Sequence, residues 1–363
     1  MDMRSVPKLR ATPDGLRILY KAALHLGVED KSAQNWRSPM DFIMRALVVF
    51  MVGFCLPAHL GAQLEVGFYD DKCAAAESIV EEEVRGALNV NSGFGAGLIR
   101  MHFHDCFVRG CDGSVLIDST GSNRAEKDSP ANNPSLRGFE VIDRAKLRLE
   151  GTCKGVVSCA DILAFAARDS VQVLSGFYYD VPAGRRDGRV SLASEADTNL
   201  PPPVFTLSQL TQFFAAKGLT QAEMVTLSGA HAIGRSHCTS FGNRLYSFNT
   251  TTAQDPSLDP TYAAQLRKQC PQNPNATLVV PMNPAAPYSL DNSYYSNILA
   301  NRVLFTSDQT LLSSSSTAGL VSQNSRSPYL WLNRFADAMI KMGQIGVLTG
   351  NAGEIRSNCR VIN

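Results

Sequence analysis

Eight cysteines, at positions 73, 106, 111, 153, 159, 238, 270 and 359, constrain this chain more than any other feature. An even set implies disulfides in an exported protein, and reduced or metal-bound thiols in a cytosolic one. The sequence upstream decides between them. Arg45 precedes an eleven-residue apolar run, Ala46–Leu56, which Pro57 breaks and small residues ending in Gly61-Ala62 follow. Crossing a bilayer takes about 20 apolar residues, so residues 40–62 read as a secretory signal cleaved after Ala62. The ninth cysteine, Cys55, leaves with that signal. Residues 1–39 are polar and basic and continue no pattern found later. They are expected to be a non-structural upstream extension, with initiation at Met40 or Met44.

The remaining segment, 63–363, is expected to form one domain held by four disulfides. It carries 26 basic and 28 acidic residues, a net charge of −2, which points to neither nucleic acid nor an anionic membrane as partner. Glycosylation sequons at Asn249 and Asn275 agree with export. Spacing alone favours only one pairing, the local Cys106–Cys111 loop.

Apolar residues recur at helical spacing, as in Ile79, Val84 and Leu88 and again in Phe139, Ile142 and Leu149. Ser158–Asp161, Thr206–Gln209 and Thr220–Glu223 have the spacing of a capping box, and Gly151 and Gly218 stand where helices would stop. Alternating patterns are short and few. An all-α domain with irregular connections is the expected fold.

The most informative stretch is Leu98-Ile-Arg-Met-His-Phe-His-Asp-Cys-Phe107. On a helix, Arg100 and His104 share a face with Phe103 beside them, while His102 is turned by about 200° from His104. An imidazole can take and return a proton near neutral pH, and a guanidinium stabilises negative charge that develops next to it. Spacing leaves alternatives open. The pair can be two solvated residues on an ordinary helix, or His102, His104 and Asp105 can bind zinc in a hydrolase.

Arg100-Met-His-Phe-His-Asp-Cys-Phe-Val-Arg-Gly-Cys-Asp-Gly-Ser-Val-Leu-Ile-Asp118 resembles the distal signature of the secretory plant (class III) haem peroxidases. The resemblance runs from about Gln63 to Asn363. It passes through Glu126-Lys-Asp128, Arg137–Asp143, Val157–Asp161 and Gly184-Arg-Arg-Asp187. It implies haem b as cofactor, and hydrogen peroxide and small phenolic donors as substrates, oxidised one electron at a time through ferryl haem. His104 matches the distal base, Arg100 the arginine that assists O–O cleavage, and Phe103 the aromatic beside the haem. Asn132 matches the acceptor for the far nitrogen of that histidine. His231, in Leu227-Ser-Gly-Ala-His-Ala-Ile-Gly234, matches the axial iron ligand, and Asp308 its carboxylate partner.

The same resemblance implies a distal calcium site at Asp105, Val108, Gly110, Asp112 and Ser114, with Glu126 acting through water. A proximal calcium site retains Asp291 but has Ala232, Asn283 and Ala286 where hydroxyl and carboxylate ligands are usual, so it is expected to be weak or empty. Three further disulfides are implied, Cys73–Cys153, Cys159–Cys359 and Cys238–Cys270. Pro201, in Leu200-Pro-Pro-Pro203, matches the proline whose carbonyl contacts aromatic donors. Tyr179 stands at an aromatic position usually held by tryptophan, a packing adjustment. The chain stops four residues past Cys359 with no vacuolar extension, so the extracellular space or cell wall is the expected location; the protein is also expected to be a monomer. The rival of a different class is a secreted, catalytically silent binding protein on the same scaffold.

Overall fold

A computed structural model describes residues 63–363; the expected signal and upstream extension lie outside them. The described residues form thirteen α-helices, several 3₁₀ turns and one two-stranded sheet, so the all-α expectation holds. The first four helices are α1 (Ala76–Val90), α2 (Gly93–Val108), α3 (Phe139–Thr152) and α4 (Cys159–Ser175). Next come α5 (Ala193–Asn199), α6 (Leu207–Ala216), α7 (Gln221–Leu227), α8 (Gly242–Tyr246) and α9 (Pro260–Gln269). The last are α10 (Ser293–Leu299), α11 (Thr306–Gln309), α12 (Ser315–Arg326) and α13 (Pro328–Met342). None is long and apolar enough to cross a membrane.

The centre of the packing is α4, every residue of which from Cys159 to Val171 is buried. It lies against both α1 and α2. Its start is fixed by the Ser158 side chain, which accepts from Asp161 N, and its end by Gly176 at φ +74°, a conformation that glycine adopts without a Cβ clash. Thr206 with Gln209 and Thr220 with Glu223 form complete capping boxes on α6 and α7. Ser158 does not belong to one. The Asp161 carboxylate is taken instead by Tyr69 OH at 2.7 Å and Arg185 at 2.7 Å. Gly151 does not stop its helix either, because α3 continues to Thr152 and Cys153 closes it.

The four disulfides join Cys73–Cys153, Cys106–Cys111, Cys159–Cys359 and Cys238–Cys270. The third closes a separation of 200 residues and ties the C-terminus to the first turn of α4. Gly184-Arg-Arg-Asp187 reinforces the same region. Arg185 also donates to Gly343 O, and the Asp187 carboxylate accepts from Ala160 N at 2.9 Å and Arg356 N at 2.8 Å. That motif holds the fold together rather than taking part in a reactive site. β1 (Arg235–His237) pairs antiparallel with β2 (Val279–Pro281), in the register Ser236 opposite Val280. Around this ribbon a second apolar cluster forms, with Phe241, Leu245 and Leu266 inside it.

Candidate active site

Arg100 and His104 lie one turn apart on α2, and Arg100 Nε donates to His104 Nε2 at 3.1 Å. The guanidinium is held on its other edge by Ser135 Oγ at 2.9 Å and the Ala131 carbonyl at 2.8 Å. His104 Nδ1 is 2.5 Å from Asn132 Oδ1, and Asn132 Nδ2 donates to the Glu126 carbonyl at 2.7 Å. With the amide nitrogen spoken for, Oδ1 must be the acceptor, so the imidazole carries its proton on Nδ1 and its lone pair on Nε2. Burial, then the Arg100 charge, push the His104 pKa well below the usual histidine value, against a smaller opposing effect of Asn132. Phe103 packs edge-on to His104 and 4.3 Å from the Phe107 ring, walling the pair with apolar surface.

His102 faces elsewhere. It is buried beside the Cys106 sulfur at 3.7 Å, and burial with the nearby Arg185 lowers its pKa to about 3. His102, His104 and Asp105 therefore do not converge, and the zinc alternative has no geometric basis.

His231 sits in the short turn Ser228–Ala232 that follows α7. Its Nδ1 is 2.7 Å from Oδ1 of the buried Asp308. Its ring is 42% exposed, and among the described residues Nε2 meets no hydrogen-bond partner. Trp331 packs so closely on Gly229 that a Cβ there would stand 2.7 Å from the indole. Three residues past the histidine, Gly234 rests against Ala96 of α2, which brings the two histidine-bearing segments together. Ser135, Tyr294 and Trp331 escaped the sequence reading. Each acts through a neighbour, and neither its type nor its spacing marks it out.

Asp105 Oδ2 accepts from Gly113 N at 2.9 Å and Asp112 Oδ1 from Ser114 N at 3.0 Å. Ser114 Oγ and Glu126 Oε2 are buried with no hydrogen-bond partner. Burial raises the Asp105 and Asp112 pKa values and pushes Glu126 up to about 8. The Val108 carbonyl accepts from Lys217 Nζ at 3.4 Å, and that of Gly110 from Asp112 N at 2.8 Å. On the other side, Asp291 is consumed locally, by Ser293 N and Ser289 Oγ at 2.9 Å each. Asn283 donates to Ser293 Oγ, and Ala232 and Ala286 offer no side-chain oxygen. Among the described residues no three His, Cys, Asp or Glu side chains form a metal cluster.

The peroxidase family model matches residues 80–327. The chain is 69% identical over 319 residues to peroxidase 5 of Vitis vinifera, spanning 88% of this chain and 97% of that one. It is 50% identical to peroxidase 1 of Zea mays over 87% of this chain and 88% of the relative. Peroxidase 3 of Arabidopsis thaliana is 46% identical over 86% and 96%. The chain belongs to the plant secretory peroxidases. It is an oxidoreductase that acts with hydrogen peroxide, and nothing supports the catalytically silent alternative.

The residues of this peroxidase fit the groups its family uses. An imidazole with one nitrogen tied to a buried carboxylate and the other free toward open space is a suitable iron ligand, and haem would be held there by His231. Two carboxylates, an unpartnered hydroxyl and loop carbonyls form a hard-oxygen set suited to calcium.

Proposed function

We propose that this protein oxidises small phenolic donors at the expense of hydrogen peroxide outside the cell, with His104 as the acid–base group and His231 as the residue that would hold the haem iron. When bound, haem supplies the two-electron reduction of peroxide and the one-electron oxidation of donors. The observation that carries the reading is the His104–Asn132 contact, which leaves Nε2 as the basic nitrogen.

His104 Nε2 takes the proton from peroxide and returns it to the departing oxygen, so that water leaves. Arg100, fixed by Ser135 and Ala131, stabilises the negative charge on that oxygen. Phe103 keeps the pocket apolar, which strengthens both effects. Asp308 accepts the Nδ1 proton of His231, giving the ligand anionic character and favouring the oxidised cofactor.

Pro201 would receive the donor. The carbonyls of Pro202 and Pro203 accept from Phe205 N and Ser307 N. Among the described residues no donor reaches the carbonyl of Pro201, so it is free to accept from a phenol. Asp105, Val108, Gly110, Asp112, Ser114 and Glu126 would bind one calcium, and the Asp291 site would bind none tightly. Residues 1–39 would be a non-structural extension, 40–62 a signal and 63–363 a monomeric catalytic domain in the cell wall or extracellular space.

The test is a stopped-flow absorbance experiment on the haem-loaded mature protein. One equivalent of peroxide shifts the Soret band and a phenol such as guaiacol reverses the shift, while His104→Ala abolishes the response. A wild-type protein that binds haem but shows no shift would overturn the assignment.

A further inference from the structure

Asp308 Oδ1 has two donors. One is His231 Nδ1 at 2.7 Å, and the other is the hydroxyl of Tyr294, on α10, at 2.8 Å. Its second oxygen, Oδ2, is buried and has no partner. Both Asp308 and Tyr294 are 2% exposed, so water does not compete for the shared oxygen. Burial and the adjacent carboxylate push the Tyr294 pKa well above the usual tyrosine value, which keeps its hydroxyl a donor. The ring is locked in place between Tyr295, at 5.1 Å, and the edge of His231, at 6.1 Å.

We infer that Tyr294 is a positioning residue that divides the charge of Asp308 with His231, and so sets how anionic the axial imidazole becomes. The inference rests on His231 being the iron ligand. A hydrogen bond to a charged group weakens when a second donor competes for the same oxygen. With Tyr294 present, less of the carboxylate's charge reaches the His231 N–H, and the imidazole holds its own proton more firmly. A less anionic ligand donates less to iron and leaves the oxidised metal less stabilised. Tyr294 thus moderates the effect of Asp308. The neighbouring Tyr295 has no such role, because its hydroxyl donates to the carbonyls of Val225 and Thr226.

The experiment compares haem-loaded wild type, Tyr294→Phe and Tyr295→Phe by resonance Raman of the ferrous state and by redox titration. Tyr294→Phe should raise the iron–histidine stretching frequency and lower the midpoint potential, with Tyr295→Phe unchanged in both. Unchanged values in Tyr294→Phe overturn the inference. A shift in the opposite direction also overturns it, since it would mean that Tyr294 only orients the carboxylate. If Tyr294→Phe does not fold, 3-fluorotyrosine at position 294 keeps the shape and strengthens the donor; it should raise the potential, and no rise overturns the inference. An iron–histidine band missing from wild type, or surviving His231→Ala, would instead refute the ligand assignment.

Discussion

His104 Nδ1 stands 2.5 Å from Asn132 Oδ1 across 28 residues of sequence, and this contact decides which imidazole nitrogen keeps its lone pair. Asn132 is itself pinned by the carbonyl of Glu126, whose own side chain belongs to the carboxylate set proposed for calcium. Base, orienting amide and ion loop therefore form one connected network. A disturbance at the loop reaches His104 through a single backbone carbonyl.

The first prediction concerns pH. Nε2 must be unprotonated to accept a proton from peroxide, and burial and Arg100 hold the His104 pKa well below its usual value. The bimolecular rate constant with peroxide should stay level from neutral pH down through the ordinary histidine range and fall only below it. Removing a positive neighbour raises the pKa of a histidine. In Arg100→Leu the acid limb should thus move to higher pH, with the plateau lower by about 10²-fold, the typical loss for one charge-stabilising donor. Stopped-flow rates between pH 3 and about 8 read both effects.

A second prediction follows from Gly229. A Cβ there would lie 2.7 Å from the Trp331 ring, and Trp331 is wholly buried with Nε1 donating to the Thr226 carbonyl. The indole cannot retreat, so Gly229→Ala should push the His231 turn outward. Overpacking of this kind costs about 1–3 kcal/mol. Haem should dissociate faster from the variant, as measured by transfer to apomyoglobin, while α-helix content by circular dichroism stays the same.

Much of this was legible in the sequence, for reasons that differ by residue. Arg100 and His104 share a turn, so helical spacing alone placed them together. Asn132 and Asp308 are far from the histidines they serve, and only resemblance pointed to them. Tyr294 carried no mark at all, because its role depends on where α10 meets α11, a tertiary fact. Gly151 misled, since its helix closes on Cys153 rather than on a left-handed glycine. Ser158 misled in part, because the Tyr69 hydroxyl and Arg185 compete successfully for the Asp161 carboxylate.

The Cys159–Cys359 bond should be the disulfide whose loss is felt most in global stability. It closes the longest loop, 200 residues apart, and constraint of the unfolded chain grows slowly with loop length. Replacing both cysteines with serine should cost about 2–5 kcal/mol in urea unfolding. Arg356, whose guanidinium donates to the carbonyls of Gly113 and Cys359, would lose its anchor with it. Calcium-loop integrity should therefore suffer before the helical core does.

The last prediction links calcium, pH and stability. Without an ion, burial raises the pKa values of Asp105 and Asp112 and pushes that of Glu126 up to about 8, above the usual carboxylate range. A carboxyl group whose folded pKa is raised binds more protons folded than unfolded between those two values, so stability falls as pH rises through that window. Chelated protein should accordingly melt at lower temperature at pH 8 than at pH 5. Added calcium supplies the missing positive charge, and its stabilising effect should be larger at pH 8. Elemental analysis of the untreated protein should find one ion per chain, because Asp291 is already satisfied and its neighbours lack oxygen ligands. Gly188→Ala provides the control, since its Cβ would fall 2.1 Å from Asp112 Oδ2. That variant should lose the ion and melt like chelated wild type, whether or not calcium is added. A second tightly held ion, or a calcium effect independent of pH, would contradict the account of these carboxylates.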